Sequence, residues 1–209
     1  MKINYQLMLD GILDDIKKAN KCQRLLLHAC CAPCSSYVLE YLSDFFEITV
    51  FFCNPNITDS DEYNKRAEEL IRLISVMPMK NKVDYIICEQ DSAHFYEITS
   101  GLESLPEGGA RCFECYRDRL DKTARYMSEH RAEYDYFATT LTVSPHKNAE
   151  KLNTIGGELA EMYGLSYLPS DFKKREGYKR SIELSREYGL YRQDFCGCEF
   201  SRMYKHGND

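Results

Sequence analysis

Apolar residues recur along this chain in two spacings that alternate. Tyr5, Met8, Ile12 and Ile16 repeat every three or four positions, which predicts an amphipathic helix at the start of the chain. Residues 24–28 then form a short apolar run between polar neighbours, which is typical of a buried strand. The alternation of helical and strand patterns continues along the chain.

The other elements follow from the same two patterns. Strands are predicted at residues 46–52, 83–87, 136–138 and 166–168, and helices at residues 37–42, 62–74, 93–98, 112–127, 149–163 and 181–188. Strands that alternate with helices form βαβ units, so we expect an α/β fold with a mainly parallel sheet and flanking helices. Ligand sites in such sheets lie outside the carboxyl ends of the strands. Four segments of chemical interest occupy that place: residues 30–36, 53–58, 139–147 and 169–180.

Length and composition limit the class of protein. The 209 residues predict a single α/β domain, residues 1–209, with a C-terminal Cys-x-Cys segment near residues 189–209. No stretch approaches the roughly 20 apolar residues of a membrane span, and the polar start does not resemble a signal peptide. We therefore expect a soluble protein of the reducing cytoplasm with no membrane partner. Ten cysteines in that compartment favour metal binding or catalysis over structural disulfides.

The net charge of −6 argues against broad, non-specific binding to nucleic acid. One local basic stretch with an aromatic residue inside it stands apart, and it consists of Lys173, Lys174, Tyr178, Lys179 and Arg180. On charge pattern alone, this stretch is either a solvated helix start or a contact surface for nucleic acid.

The most unusual cysteines are the adjacent Cys30 and Cys31, at the junction of the first strand and the next helix. Neighbouring side chains on a strand point to opposite faces, so both thiols reach one metal only if the chain bends, and Pro33 favours a bend. Cys112 and Cys115 lie three residues apart on a predicted helix and face the same way. Four thiolates from these positions would suit either an iron–sulfur cluster or a Cys₄ zinc site.

The remaining cysteines leave more than one interpretation open. Cys34 is expected in the first turn of a helix, where the helix dipole favours a thiolate, so it is an additional ligand, a redox thiol or a packed residue. The glycine between Cys196 and Cys198 lets the chain fold tightly enough for two thiols to meet or to bind one ion. Three cysteines stand alone in the sequence and are interpreted as small packed residues: Cys22, Cys53 and Cys88.

A set of short segments is more specific than any single cysteine pair: residues 28–34 (HACCAPC), 54–57 (NPNI), 112–117 (CFECYR), 139–141 (TTL), 144–147 (SPHK), 168–174 (LPSDFKK) and 191–198 (YRQDFCGC). Through them, the chain resembles the QueH-type epoxyqueuosine reductases over nearly its full length. The resemblance implies the last step of queuosine biosynthesis, in which the epoxide of epoxyqueuosine at the tRNA wobble position is reduced to a cyclopentene with loss of water. It also implies a HUP-like (adenine nucleotide α-hydrolase-like) three-layer fold and a [4Fe–4S] cluster, without cobalamin.

The resemblance also implies roles for individual cysteines. By matching positions, Cys30, Cys31, Cys112 and Cys115 would hold the cluster. Cys34 becomes a candidate ligand of a second iron or other metal ion close to it. The partners implied are a tRNA that carries epoxyqueuosine and an electron donor.

The chemistry of the reaction adds further candidates. Because an iron–sulfur cluster passes one electron at a time, a second redox element is expected. It is either a nearby metal or the dithiol of Cys196 and Cys198, which releases two electrons on forming a disulfide. Asp171 is predicted as the proton donor, with His146 and Tyr178 as alternatives. The tRNA is expected to contact the basic stretch Lys173, Lys174, Tyr178, Lys179 and Arg180, with Arg117 and Arg119 adding to it.

Two other classes of protein fit parts of the pattern. In a zinc-stabilised tRNA-binding module the four cysteines would be purely structural, and the protein would lack the brown colour of an iron–sulfur protein. A tRNA-thiolating enzyme on a similar fold would need a glycine-rich phosphate loop after the first strand. Residues 30–34 occupy that place and contain no glycine, so nucleotide-dependent chemistry is disfavoured.

Overall fold

Four strands form a parallel sheet at the centre of the residues that the structure, a computed structural model, describes (3–206, with side chains through Arg202). The strands are Gln23–His28 (β1), Phe46–Phe52 (β2), Val83–Ile87 (β3) and Tyr136–Thr139 (β4), in the order β3-β2-β1-β4. The register pairs Leu25 with both Ile48 and Tyr136, and Phe52 with Ile87. All three pairings are parallel, because a helix lies in every connection between the strands.

Helices connect the strands and flank the sheet. They are Tyr5–Ala19 (α1), Ala32–Leu42 (α2), Ser60–Val76 (α3), Ala93–Thr99 (α4), Ala110–Glu129 (α5), Ala149–Tyr163 (α6), Gly177–Glu187 (α7) and Glu199–His206 (α8). Local sequence explains several boundaries: the Asp59 side chain accepts the free N–H groups at the start of α3, and Gly164 ends α6 in the left-handed conformation. Within residues 3–206, none of these helices combines the length and apolar character needed to cross a membrane.

The core lies on both faces of the sheet. Leu25 and Leu27 of β1 point to one face, into an apolar cluster with residues of α1, α2 and α3. Leu26, between them, points to the other face and packs with Leu120 of α5 and Ile155 of α6. Helices therefore cover both sides of the sheet, and the predicted α/β three-layer arrangement is confirmed.

Most predicted elements agree with the structure, and the strands at residues 46–52 and 83–87 have the predicted bounds. The predicted fifth strand at residues 166–168 is wrong, because Tyr167 makes only a single bridge to Phe137. The next residue after this bridge region, Pro169, has no N–H to donate, and the N–H of Ser170 donates to Asn153 Oδ1 at 2.9 Å instead of to the sheet. Helix α7 begins at Gly177 rather than at residue 181, and α8 was not predicted.

Two adjacent glycines in α6 allow a matched test of packing. A Cβ atom on Gly156 would lie 2.4 Å from the ring of Tyr167, whereas a Cβ atom on Gly157 would have no neighbour within 4 Å. We expect Gly156→Ala to lower the free energy of unfolding by about 1–3 kcal/mol through overpacking. Gly157→Ala is expected to raise it by about 0.5–1 kcal/mol, because alanine is the better helix former. Urea denaturation of both variants measures the two effects, and equal stabilities would contradict the packing.

Candidate metal centre

A trio of cysteine thiols lies at the carboxyl end of β1. The Sγ atoms of Cys30, Cys31 and Cys34 all lie within 4.8 Å of one another, and those of Cys30 and Cys31 are 3.6 Å apart. The chain achieves this because β1 ends at His28 and α2 begins at Ala32, so Cys31 is the extended N-cap residue of the helix. The bend required for adjacent thiols to face one point is therefore present. The trio can hold a metal ion.

The three thiols of the trio differ in their pKa values. The thiols of Cys30 and Cys34 hydrogen-bond to Cys31 and lower its pKa well below the ordinary value, and the guanidinium of Arg66 lowers it further against the effect of burial. Hydrogen bonds with Cys30 and Cys31, together with burial, raise the pKa of Cys34 well above its ordinary value. Cys31 is therefore the thiol that ionises first and offers a thiolate to a metal.

A second group of cysteines lines a small neighbouring cavity: Cys112, Cys115, Cys196 and Cys198. Burial is the main cause that raises the pKa of Cys115 to about 12 and that of Cys198 to about 11. Gly197 allows this close packing: its φ is +111°, and a Cβ atom there would lie 2.9 Å from the side chain of Ile57.

The buried side chain of Arg66 connects the C-terminal segment to the trio. Its Nη1 donates to the carbonyl of Cys196 at 3.1 Å and its Nη2 to that of Phe195 at 3.3 Å, while Nε donates to Glu62 at 2.6 Å. The same guanidinium is close enough to Cys31 to lower its pKa. Arg66 therefore links the main chain at Cys196 to the cysteine trio.

Arg119 of α5 lies among thiols from three separate segments and is only 1% exposed. Its Nε donates to the carbonyl of Cys115 at 3.3 Å, and its Nη2 has no hydrogen-bond partner among the described residues. Burial acts to lower the pKa of Arg119, but Cys115, Cys196 and Cys30 outweigh it and raise the pKa. A buried cation with an unpartnered nitrogen favours negative charge beside it, in thiolates or in a group bound to them.

A larger cavity of about 490 Å³ opens onto these thiols. Its walls include Cys30, Cys34 and Arg119, and it shares Glu107, Cys196 and Ser201 with the smaller cavity. Lys147 also lines it and donates from Nζ to Cys196 Sγ at 3.2 Å. Burial acts to lower the pKa of Lys147, but Cys196 and Tyr116 raise it overall, so the amine keeps its proton. The cavity therefore combines cysteine sulfur, the usual ligand of iron–sulfur sites, with buried cations.

Comparison with known proteins agrees with this chemistry. The model of the family described as "Epoxyqueuosine reductase QueH" matches residues 25–204. The chain belongs to this family. It is 43% identical to the epoxyqueuosine reductase QueH of Streptococcus pyogenes serotype M1, over 96% of this chain and 78% of the relative. It is 41% identical to that of Staphylococcus epidermidis, over 100% of this chain and 88% of the relative, and 32% identical to that of Thermotoga maritima, over 86% and 90%.

Membership in the QueH family gives the chain its class of activity. It is an oxidoreductase, an epoxyqueuosine reductase that acts at the last step of queuosine synthesis. The predictions of family, enzyme class and reaction are therefore confirmed. The cysteine trio that can hold a metal ion is the structural feature of this family member that matches a redox reaction.

The structure brings together some of the predicted site residues and separates others. Tyr178 and His146 line the large cavity with Cys30 and Cys196. Asp171 is not part of that lining, and its Oδ1 lies 2.8 Å from Lys173 Nζ. Cys196 and Cys198 both line the small cavity, together with Cys112 and Cys115.

The basic stretch expected to contact tRNA is partly neutralised by acidic neighbours. Lys179 pairs with Glu176 at 3.4 Å, and Arg180 donates to Glu40 at 3.0 Å and 2.6 Å. Lys174 is exposed. Arg119 was expected to add to the tRNA contacts, but it is buried among thiols.

Sequence reasoning missed the roles of Arg66 and Lys147, and it also missed His28. Burial, followed by the charge of Arg119, lowers the pKa of His28 to about 3, so its imidazole is neutral, and its Nδ1 lies 2.9 Å from Thr139 Oγ1. Helical spacing offered one signal: Arg119 is four residues after Cys115 and so shares its face of α5. The positions of Arg66 and Lys147 depend on contacts across the fold, which no local pattern records.

The geometry of the trio predicts a metal-binding difference between two single variants. We expect Cys34→Ser to weaken binding of the first equivalent of Co²⁺ to the metal-free, reduced protein by about tenfold or more, because one sulfur ligand is lost. The matched control Cys22→Ser removes an exposed thiol outside the trio and is expected to leave the affinity unchanged. Thiolate-to-cobalt charge-transfer absorption measures both, and equal affinities would contradict a role for Cys34.

Proposed function

We propose that this chain reduces the epoxide of tRNA-bound epoxyqueuosine at a metal centre held by cysteine thiolates, and that the centre is a [4Fe–4S] cluster. The reaction is inferred from membership in the QueH family. The observation that supports the centre is Arg119, a buried cation with an unpartnered nitrogen among the sulfur atoms of Cys30, Cys115 and Cys196. Cysteine sulfur is the usual ligand of iron–sulfur clusters, so the donor set fits the group.

The proposed cluster ligands are Cys30, Cys31, Cys112 and Cys115. Cys30 and Cys31 lie inside the apolar cluster beneath α5, and Cys112 packs against the same cluster from the first turn of that helix. Cys34 shares the trio with the first pair, which supports the proposal that it binds a second metal ion next to the cluster. A mostly apolar surround with buried guanidinium groups limits access of water and tunes the reduction potential of such a centre.

The reaction consumes two electrons and two protons, breaks both carbon–oxygen bonds of the epoxide and releases its oxygen as water. When bound, the cluster supplies electrons one at a time. We propose that the thiols of Cys196 and Cys198 provide an electron pair and become a disulfide, which an external electron donor must reduce after each turnover. The ammonium group of Lys147, 3.2 Å from Cys196 Sγ, stabilises negative charge on that sulfur.

Protons for the leaving oxygen require acidic groups near the cavity. The phenol of Tyr178 and the imidazole of His146 both come from residues that line it, which supports a role for either in proton delivery. Asp171 stays a prediction as proton donor, since it pairs with Lys173 and does not line the cavity.

The proposed substrate also requires a surface for tRNA around the cavity. An anticodon base must leave the stack to reach the thiols, and stacking on an aromatic ring favours this state. Tyr178 can provide that ring at the cavity wall. Lys174 is exposed four residues earlier in the chain, and Arg192 is exposed at the cavity wall, so we propose both as phosphate contacts.

The cluster assignment predicts the loss of bound iron and of activity together. We expect the double variant Cys31→Ser, Cys112→Ser to contain little iron, to lack brown colour and to leave epoxyqueuosine-tRNA unreduced. The assay is anaerobic incubation with a chemical reductant, followed by mass analysis of the wobble nucleoside for loss of one oxygen. Cys22→Ser, at an exposed and isolated thiol, is expected to behave as the unaltered protein.

Two results would count against this proposal. Full activity in the double variant would exclude Cys31 and Cys112 as cluster ligands. If the unaltered protein is folded but colourless and contains zinc, a structural Cys₄ site is favoured instead.

The tRNA surface predicts a salt-dependent effect of one charge reversal. We expect Lys174→Glu to weaken tRNA binding several-fold at low salt, with a shallower dependence of affinity on salt, because a phosphate contact is lost. Lys82→Glu is the matched control, since this exposed lysine precedes β3 at the opposite end of the strands. Filter binding at several salt concentrations measures both variants, and an identical loss in the two would exclude a local contact at Lys174.

A further inference from the structure

Two cysteines that stand alone in the sequence are neighbours in the sheet. Cys53 is the first residue after β2, and Cys88 is the first residue after β3. The ladder pairs Phe52 with Ile87, and it continues with the N–H of Cys88 donating to the carbonyl of Phe52 at 3.0 Å. Cys53 and Cys88 are therefore the next pair in the parallel register.

The distance between the two strands suits a disulfide bond between Cys53 and Cys88. Adjacent strands lie about 4.8 Å apart, within the roughly 4.4–6.8 Å between Cα atoms that a disulfide spans. The hydroxyl of Tyr63 donates to the carbonyl of Cys88 at 2.7 Å and lies 3.4 Å from that of Phe52, so it holds the ends of both strands in place. Both thiols are half-buried, with a side exposed to solvent.

The charges around the pair distinguish its two members. The neighbouring thiol is the largest influence on each: it raises the pKa of Cys53 and lowers that of Cys88. Lys122 of α5 faces the pair and lowers the pKa of Cys88 further, although its ammonium group also lies 3.2 Å from Asp118. Cys88 is therefore the thiol suited to attack a disulfide.

The pair is also close to the metal centre. His28, the last residue of β1, pairs with Phe51 of β2, and Cys30 and Cys53 each follow this pair by two residues. Cys30, Cys53 and Cys88 all contact the apolar cluster beneath α5. Two strand spacings, roughly 10 Å, separate the ends of β1 and β3.

We propose that Cys53 and Cys88 form a dithiol–disulfide couple that exchanges with low-molecular-weight disulfides, separate from Cys196 and Cys198. Cys88 thiolate attacks the external disulfide and its sulfur–sulfur bond breaks, so one half leaves as a thiolate. Cys53 then attacks the mixed disulfide and releases the second half. One disulfide forms in the protein, the external disulfide is reduced to two thiols, and each thiol proton lost by the protein is taken up by a product thiol.

Peptide mapping tests the couple without any measurement of activity. The full-length protein, purified anaerobically, is incubated with glutathione mixtures of rising disulfide content, quenched in acid, alkylated and digested. We expect Cys53 and Cys88 to lose alkylation together and to appear as one linked peptide pair. Cys88→Ser is expected to abolish the link and leave Cys53 as a thiol or a glutathione adduct, whereas Cys22→Ser is expected to leave the link unchanged.

Two results would overturn the couple. One is that Cys53 and Cys88 are still free to react with the alkylating reagent in a glutathione mixture that has already converted the exposed Cys22 into a glutathione adduct. The other is that either of them links to a different cysteine. Because the unaltered protein decides both, the outcome does not depend on how well a variant folds, nor on whether the reductase reaction is observed.

Discussion

Charge compensation around two buried guanidinium groups determines the arrangement of this site. Arg66 and Arg119 are each 1% exposed, and a cation without water must be paired or it destabilises the fold by several kcal/mol. Arg66 is paired with the carboxylate of Glu62 and two main-chain carbonyls. Arg119 donates to one carbonyl, and its pKa is raised by thiols of three segments and by the phenol of Tyr116. The thiols of three segments therefore help to compensate this buried charge.

The parallel sheet explains how these segments meet. All four strands end at one edge, so the residues that follow β1, β2 and β4 are neighbours although they are far apart in the chain. The loop after β1 is where dinucleotide-binding folds place a glycine-rich phosphate loop. Here that loop presents sulfur atoms, because Cys31 caps α2 in an extended conformation and Cys34 follows in the first turn. The position in the fold that binds phosphate in those proteins presents three thiols in this one, and together they can hold a metal ion.

The sequence predicted the strands well where apolar runs were bounded by polar residues or turn signals. It failed at residues 166–168, because Pro169 and the contact of Ser170 with Asn153 remove the chain from the sheet. Among the candidate residues, Tyr178 of α7 and His146, which follows β4 by seven residues, do line the cavity. Arg119 was predicted to add to the tRNA contacts, and only the packing of α5 in the fold shows that it is buried.

By itself, the sequence determined the α/β class, the order of the elements and the membership of the chain in the QueH family, because periodicity and motif spacing are local properties. Tertiary structure alone decided which cysteines are neighbours. Cys53 and Cys88 stand apart in the chain and were interpreted as packed residues, yet the register of β2 and β3 places them side by side. Cys34 joins Cys30 and Cys31 through the start of α2, and Arg66 reaches Cys196 across the fold. Distances between thiols depend on strand register and helix packing, which are set by the burial of apolar residues throughout the chain rather than by the spacing of the cysteines.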